Sequence, residues 1–278
     1  MPLLHRLKVA LKRMLPEGWV SFILRMKWEK MKEIDLSRIE QIQKMQVAEL
    51  SDSSVVEKNL LPLLGLNNEL PYQLPDELYP YTGKGLLYWQ YPVQFSKYLV
   101  LLSGLKVESY LEIGVRHGGT FIITVEYLQK FYPLTKAVGV ELGYSPSMVA
   151  YSKQNKRVRF FQADSQTERF KDLLKKEGYF DLVFIDGNHD EAECRNDYET
   201  VKDRAGILVL HDIVSVSCPG VQKLWSEIKK EKGLAFYEFT EQYKSVTERT
   251  GQAFFGIGVA VSKSYLHKKG LLLQNNGG

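Results

Sequence analysis

The chain has 278 residues, room for one large α/β domain with an appendage or for two small domains. At 44% hydrophobic and 25% charged residues it has the make-up of a globular protein with a sizeable core, which excludes a disordered chain. A formal net charge of +4 is too small to argue for a nucleic-acid partner. The two cysteines, Cys194 and Cys218, lack metal-type spacing, so reduced thiols in a cytoplasmic protein are expected, with a disulfide left open. No run reaches the roughly 18 to 20 apolar residues that span a bilayer. The basic N-terminus lacks the continuous apolar core of a signal peptide, and the expectation is a soluble protein.

Residues 1–33 hold eight Lys/Arg against three acids, with Leu3, Leu4, Leu7, Leu11, Val20, Ile23 and Leu24 at helical spacing around a Pro16-Glu17-Gly18 break. A basic amphipathic helix pair of this kind can lie on an anionic membrane surface, although packing on its own domain or on a second subunit is the more ordinary use. Residues 34–58 continue as a polar helical pattern. From residue 60 to 92 five prolines alternate with six aromatics, among them Tyr72, Tyr88 and Trp89, which predicts an ordered loop that caps a site or covers a sheet edge.

From residue 93 the pattern becomes regular. A helix over 93–102 is followed by apolar, strand-like runs at 109–115, 137–142, 158–163, 180–186, 206–211, 235–240 and 254–261. Helical patterns begin between them near Thr120, Ser147, Glu168, Glu191 and Val221, and none is evident between the last two strands. Alternation of this kind predicts an α/β fold with a doubly wound, mostly parallel sheet of seven strands, the last two paired as an antiparallel edge. The domain plan is thus 1–92 for a helical arm and aromatic cap, 93–265 for the sheet domain, and 266–278 for a tail that frays over 274–278.

In a doubly wound sheet, ligands bind beyond the carboxyl ends of the strands, so the residues that end each strand carry the functional information. The first strand ends in Glu112-Ile113-Gly114 and a turn through Gly118 and Gly119 to Thr120. Its Glu-x-Gly-x-x-x-Gly spacing differs from the dinucleotide fingerprint and points to a nucleotide-like ligand without pyrophosphate, first of all S-adenosylmethionine (SAM). The second ends at Glu141, placed to accept both ribose hydroxyls, and the third at Asp164-Ser165, suited to an adenine edge. The fourth runs into Asp186-Gly187-Asn188-His189-Asp190 and the fifth into His211-Asp212. Taken singly, Glu141 or Asp164 could be a helix cap and the glycines plain turn residues; polar groups at five successive strand ends are much harder to assign to coincidence.

These segments (LEIGVRHGGT, VGVEL, FFQADS, FDLVFIDGNHD and GILVLHDI) resemble class I SAM-dependent methyltransferases over about residues 93–262. The GxxxGGT turn and the IDGNH and LHD elements are similar to a branch holding sugar and macrolide-sugar O-methyltransferases and cephalosporin-hydroxylase-type proteins. The resemblance implies SAM binding by Glu112, Gly114, Gly118, Thr120, Glu141, Asp164 and Ser165. It also implies a divalent metal site at Asp186, His211 and Asp212, where His211 replaces the acid usual in that branch. An imidazole among carboxylates moves preference from Mg²⁺ toward Mn²⁺, Fe²⁺ or Zn²⁺; without a metal, the same groups would only hydrogen-bond loops and substrate.

His189 is the candidate general base and Asp186 its catalytic companion, since an imidazole of near-neutral pKa suits removal of a hydroxyl proton. A helix-start histidine bonded to backbone is the alternative. Arg195 and Asp197 fall on the next helix with no spacing that requires a contact, and Cys218, near the Ser217–Val221 turn, has no partner that would make it a nucleophile. The functional expectation is methyl transfer from SAM to a hydroxyl of a small-molecule acceptor, a sugar or glycosylated product, with a homo-oligomer compatible. The alternative is a non-catalytic SAM-binding scaffold recruited through its basic arm. A nicotinamide oxidoreductase is disfavoured by the missing early glycine.

Overall fold

The computed structural model describes residues 33–271. The basic helix pair with its membrane-surface role falls, but for Glu33, outside the described residues, as does the 274–278 tail. Seven strands form one sheet: β1 (Ser109–Ile113), β2 (Lys136–Glu141), β3 (Val158–Gln162), β4 (Phe180–Ile185), β5 (Ala205–His211), β6 (Leu234–Phe239) and β7 (Ile257–Ser262). Their order is β3-β2-β1-β4-β5-β7-β6. Leu111 of β1 is in register with Val138 of β2 on one side and Val183 of β4 on the other, both parallel. Strand order reverses between β1 and β4, and the crevice that opens there, beyond the carboxyl ends, is where such sheets bind ligands.

The central strands read as near-continuous apolar runs because both faces are covered. In β4, Leu182 and Phe184 join the core on one face while Val183 and Ile185 join that on the other; β5 divides the same way at Ile207/Val209 and Leu208/Leu210. Helices α1 (Pro92–Ser103) and α2 (Gly119–Gln129) cover the first face, α4 (Glu168–Glu177), α5 (Glu191–Val201) and α6 (Pro219–Ile228) the second, and α3 (Pro146–Gln154) follows β2. α2 is β-branched and buried almost all round, as a core helix should be, whereas α4 buries only Phe170 and Leu174, four residues apart on one stripe.

Two expectations about the sheet's far side are corrected. A helix, α7 (Lys244–Thr250), does lie between β6 and β7. It buries Val246 alone, so no apolar period marked it, and it stops at Gly251 in the left-handed conformation. The last two strands do form the expected antiparallel edge pair, with β7 also pairing antiparallel with β5 and β6 outermost. The run expected as a strand from residue 254 begins only at Ile257, because Phe255 (φ 58°) and Gly256 (φ 94°) are left-handed. Helix α8 (Lys263–Lys268) carries the ordered chain past residue 265 with Leu266 buried.

The polar helical pattern of 34–58 resolves into short turns, Ile39–Lys44, Val47–Leu50 and Ser53–Val55, leading into a π-helical turn, Val56–Leu60. Ile42, Leu50, Val56 and Leu60 are buried there, so this segment is a packed layer on the first face. Residues 60–92 are held mainly by loop contacts: Leu66 bridges Thr82 and Tyr88, and Asn67 N–H donates to the Tyr88 carbonyl at 2.9 Å. This cap rests directly on the glycine turn. A Cβ on Gly119 would stand 2.3 Å from the Leu86 carbonyl oxygen and 2.7 Å from the Tyr88 nitrogen.

Candidate active site

The glycine turn has a second close approach. Gly114 has φ 93°, and a Cβ there would lie 2.1 Å from the Asp186 carbonyl oxygen. The loops after β1 and β4 thus touch through bare backbone at the switch point. Gly114→Ala should cost about 3 kcal/mol or more of stability, from strain and clash together. A denaturant titration that finds the variant within about 1 kcal/mol of wild type would contradict this packing.

Most of the residues singled out by sequence meet in one crevice of about 550 Å³, lined by Glu112, Gly114, Thr120, Glu141, Asp164, Ser165, Asp186, His189, His211 and Asp212. Gly118 is the exception: it precedes α2 with φ 96°, and a Cβ there would meet Met148 Sδ at 2.6 Å. It shapes the turn without lining the crevice.

Glu112, 1% exposed, accepts a hydrogen bond from the Tyr110 hydroxyl. Burial pushes its pKa well above the usual carboxylate range; Asp186 and Glu141 push the same way, against the Tyr110 bond and His211. Glu141 accepts from Arg116 N–H at 2.8 Å and from Gly143 N–H at 3.2 Å, tying the ends of β1 and β2 together. Helix α3 takes its cap from Ser145, so Glu141 does not serve as that cap. Burial raises Glu141 also, opposed by those backbone bonds. Asp164 accepts from Gln166 N–H at 2.9 Å in a tight turn that presents Ser165 to the crevice.

The ends of β4 and β5 bring together Asp186, His189, His211 and Asp212, whose ligating atoms all lie within 4.8 Å of one another. His211 Nδ1 is 3.0 Å from Asp186 Oδ1 and 3.4 Å from Asp212 Oδ2. His189 Nε2 is 2.9 Å from Asp212 Oδ2 and 3.6 Å from Asp186 Oδ1. His189 Nε2 is nevertheless off the direction of a hydrogen bond, and the buried His211 Nε2 has no partner either. Asp212 itself sits at φ 62°, a conformation uncommon for a non-glycine residue.

Burial disfavours charge on His189, but the two carboxylates beside it prevail and push it up to about 10. His211 is likewise raised well above its ordinary value by Asp186 and Asp212 in spite of burial. Asp186 and Asp212 are held low by the same histidines, again against burial. Without a metal the cluster is therefore two imidazolium cations facing two carboxylates. One divalent cation can replace those two protons at equal net charge, and the donor set of imidazole nitrogen and carboxylate oxygen suits Mn²⁺, Fe²⁺ or Zn²⁺. The residues fit a metal.

The opposite wall comes from the 60–92 loop expected as a cap, although of its lining residues only Trp89 was named from the sequence. Asn67, Leu70, Gln73, Leu87 and Trp89 line it. The Arg116 guanidinium lies 4.6 Å above the Trp89 ring and pairs with Glu69, while His117 Nε2 is 3.5 Å from Glu69 Oε1. Phe255 closes the far end, its ring 5.7 Å from that of His211. The Phe254-Phe255-Gly256 sequence, an aromatic pair stopping at glycine, was the available signal for that turn. Arg195 pairs instead with Glu191 and Glu227, away from the crevice. Cys194 and Cys218 are both free thiols, and burial pushes Cys218 up to about 12, which leaves it inert as a nucleophile. Among the described residues no helix is long and apolar enough to cross a membrane.

Comparison with known proteins bears on this crevice. A family model described as a methyltransferase domain matches residues 111–213, from β1 through the loop after β5. No curated protein matches. Among solved structures, an O-methyltransferase from Bacillus cereus in complex with S-adenosylhomocysteine (SAH) is 14% identical, over 81% of this chain and 95% of that one, with a TM-score of 0.49. The O-methyltransferase TomG from Streptomyces achromogenes, involved in tomaymycin synthesis and solved with SAM, is 14% identical over 78% and 91%, TM-score 0.47. The SAH-bound methyltransferase PaMTH1 from Podospora anserina is 15% identical over 90% and 98%, TM-score 0.43. At this distance nothing of their substrates transfers. The matched segment contains the glycine turn and the ends of all five parallel strands that build the crevice, and residues 111–213 are a methyltransferase domain.

Proposed function

We propose that the protein transfers the SAM methyl group to a hydroxyl of a small, uncharged acceptor, a sugar or glycosylated product. The observation that carries this reading is the meeting, in one crevice, of the Glu141 and Asp164-Ser165 strand ends with the Asp186–His189–His211–Asp212 cluster. Glu141 accepts the ribose hydroxyls, and Asp164 and Ser165 face the adenine. Glu112 and the glycine turn close around the donor.

The charge pattern favours an uncharged acceptor. Glu141, Asp164 and Glu193 line the crevice beside the charge-balanced Asp186–His189–His211–Asp212 cluster, and Arg116, the one Lys or Arg among the lining residues, is already paired with Glu69. Such a field favours the sulfonium cation of SAM and opposes phosphate or carboxylate on the acceptor. Leu70, Leu87, Trp89 and Phe255 supply apolar surface, and the buried Gln73 Oε1, without a partner in the protein, accepts a bond from an acceptor hydroxyl.

Because the sulfonium makes the methyl reactive, the protein's task is to align the acceptor oxygen and take its proton. Asp186, His211 and Asp212 would hold a divalent cation, which when bound supplies positive charge that polarises the acceptor hydroxyl. His189 takes the proton, and Asp186 and Asp212 hold the imidazolium that results.

With chelator present, His189 keeps its proton until the pH climbs toward about 10. The metal-free rate should therefore rise with pH from about 6.5 to 10, the base being the unprotonated form. Added Mn²⁺ should offset the carboxylates, lower that pKa and restore activity near neutrality. Initial rates with and without chelator test this; a chelator-treated profile that is flat or falls with pH would overturn the role of His189. The acceptor class is tested with methyl-labelled SAM on neutral glycosides and their phosphorylated counterparts. Label is expected on a hydroxyl of the neutral set, and SAH binding without transfer to any hydroxyl would favour the non-catalytic scaffold.

A further inference from the structure

Helix α7 is short and buries a single side chain, Val246. Its last turn nevertheless carries Arg249, whose guanidinium reaches across to the cap. Nη1 donates to Asp76 Oδ1 at 2.9 Å, and Nη2 donates to the backbone carbonyls of Tyr72 (3.1 Å) and Leu74 (2.8 Å). The carbonyl between those two, that of Gln73, accepts from the Tyr91 hydroxyl at 2.5 Å. Three consecutive carbonyls are thus held by side chains from outside the turn that bears them.

That turn is the 3-10 segment Pro71–Gln73, which ends at Leu74. Its own backbone bonds are Gln73 N–H to the Leu70 carbonyl and Leu74 N–H to the Pro71 carbonyl, each at 3.0 Å. A single turn of this kind has little stability by itself, so the outside bonds set where it sits. What it carries is Gln73, which lines the crevice and is only 7% exposed. Gln73 Oε1 is buried without a hydrogen-bond partner among the described residues. A buried amide oxygen in that state calls for a donor, and an acceptor with more than one hydroxyl supplies it. One hydroxyl donates to Gln73 while another meets His189, which lines the same crevice.

The planar fork of arginine suits this task, because it serves a carboxylate and two carbonyls at once from nitrogens in fixed directions. Tyr91, the other holder, is fully buried, its ring edge-on to Tyr243 at 4.9 Å and to Phe255 at 4.8 Å. Tyr243 precedes α7 as its N-cap, and Phe255 closes the crevice, so clamp, turn and crevice end form one connected block.

We propose that Arg249 is a positioning residue for the acceptor: by holding the carbonyls on either side of Gln73 it fixes the Gln73 amide in the crevice wall, and that amide selects which hydroxyl of a polyhydroxylated acceptor reaches His189. This rests on the reading of His189 as the base for a hydroxyl acceptor. The bonds of the Arg249 guanidinium go to the cap, and the donor side is served by other residues.

The experiment measures transfer from methyl-labelled SAM to neutral methyl glycosides and their mono-deoxy analogues, with SAH titrated on the same preparations. Wild type should label one hydroxyl, and removal of the hydroxyl that meets Gln73 should raise the acceptor KM by about tenfold. In Arg249→Ala the acceptor KM should rise by about tenfold or more and label should spread to a second hydroxyl, while SAH affinity stays within about threefold. Gln73→Ala should spread the label in the same way and lose its sensitivity to that deoxy analogue. Arg249→Lys keeps the charge at the helix end without the fork; it should shift KM and product in the same direction, and it carries the test if Arg249→Ala does not fold. A single product at wild-type KM in either Arg249 variant, or equal losses of acceptor and SAH affinity, overturns the proposal. Transfer by the wild type to none of the glycosides overturns the acceptor reading itself.

Discussion

Replacing His189 by alanine is expected to lower turnover by about 100- to 10,000-fold, the range over which a positioned general base acts. SAH affinity should change by less than about threefold, because His189 stands with the acids after β4 and β5 and not with the strand ends assigned to the donor. The imidazole is half-buried at the crevice wall, so its removal opens space without emptying the core. Single-turnover rates and SAH titration on the same preparation separate the two effects. If SAH affinity collapsed in step with turnover, His189 would be a binding residue and the assignment of the base would be wrong.

Replacing Glu141 by alanine should have the opposite signature. Its carboxylate is expected to accept two ribose hydroxyls, and charge-assisted bonds of this kind are worth roughly 1.5–3 kcal/mol each. A loss near 3 kcal/mol corresponds to about 100-fold weaker SAH binding, with turnover at saturating SAM changed far less. The same carboxylate satisfies the Arg116 and Gly143 N–H groups, so a fall in stability of about 1–3 kcal/mol should accompany the binding loss. The melting temperature checks that part. SAH affinity unaffected by the substitution would mean that Glu141 serves only to brace the turn.

The parallel half of the sheet was legible because its central strands are buried on both faces and read as apolar runs ending in a polar residue, from Leu111-Glu112 to Leu210-His211. The positions of Asp186 and Asp212 followed from being the first residues past those ends, and that of His211 from closing β5. The antiparallel side was harder for physical reasons. α7 buries one side chain, and β7 enters between β5 and β6 by a pairing that no local pattern encodes. The cap was legible as a segment but not residue by residue: Leu70, Gln73 and Leu87 reach the crevice through turns and backbone contacts, without any period. The sequence also offered His189 as a base with an ordinary pKa. Only the geometry places two carboxylates within 3.6 Å of its Nε2 and raises that value.

The contact between Gly119 and the backbone of Leu86 to Tyr88 has a thermodynamic consequence. The loop expected to embrace the methyl donor and the loop that walls the acceptor side share an interface with no side chain between them, so neither can shift while the other stays still. Donor and acceptor are then ligands of one mechanical unit. Whatever factor bound SAM contributes to acceptor affinity, bound acceptor must return to SAM, since linkage between two sites is reciprocal.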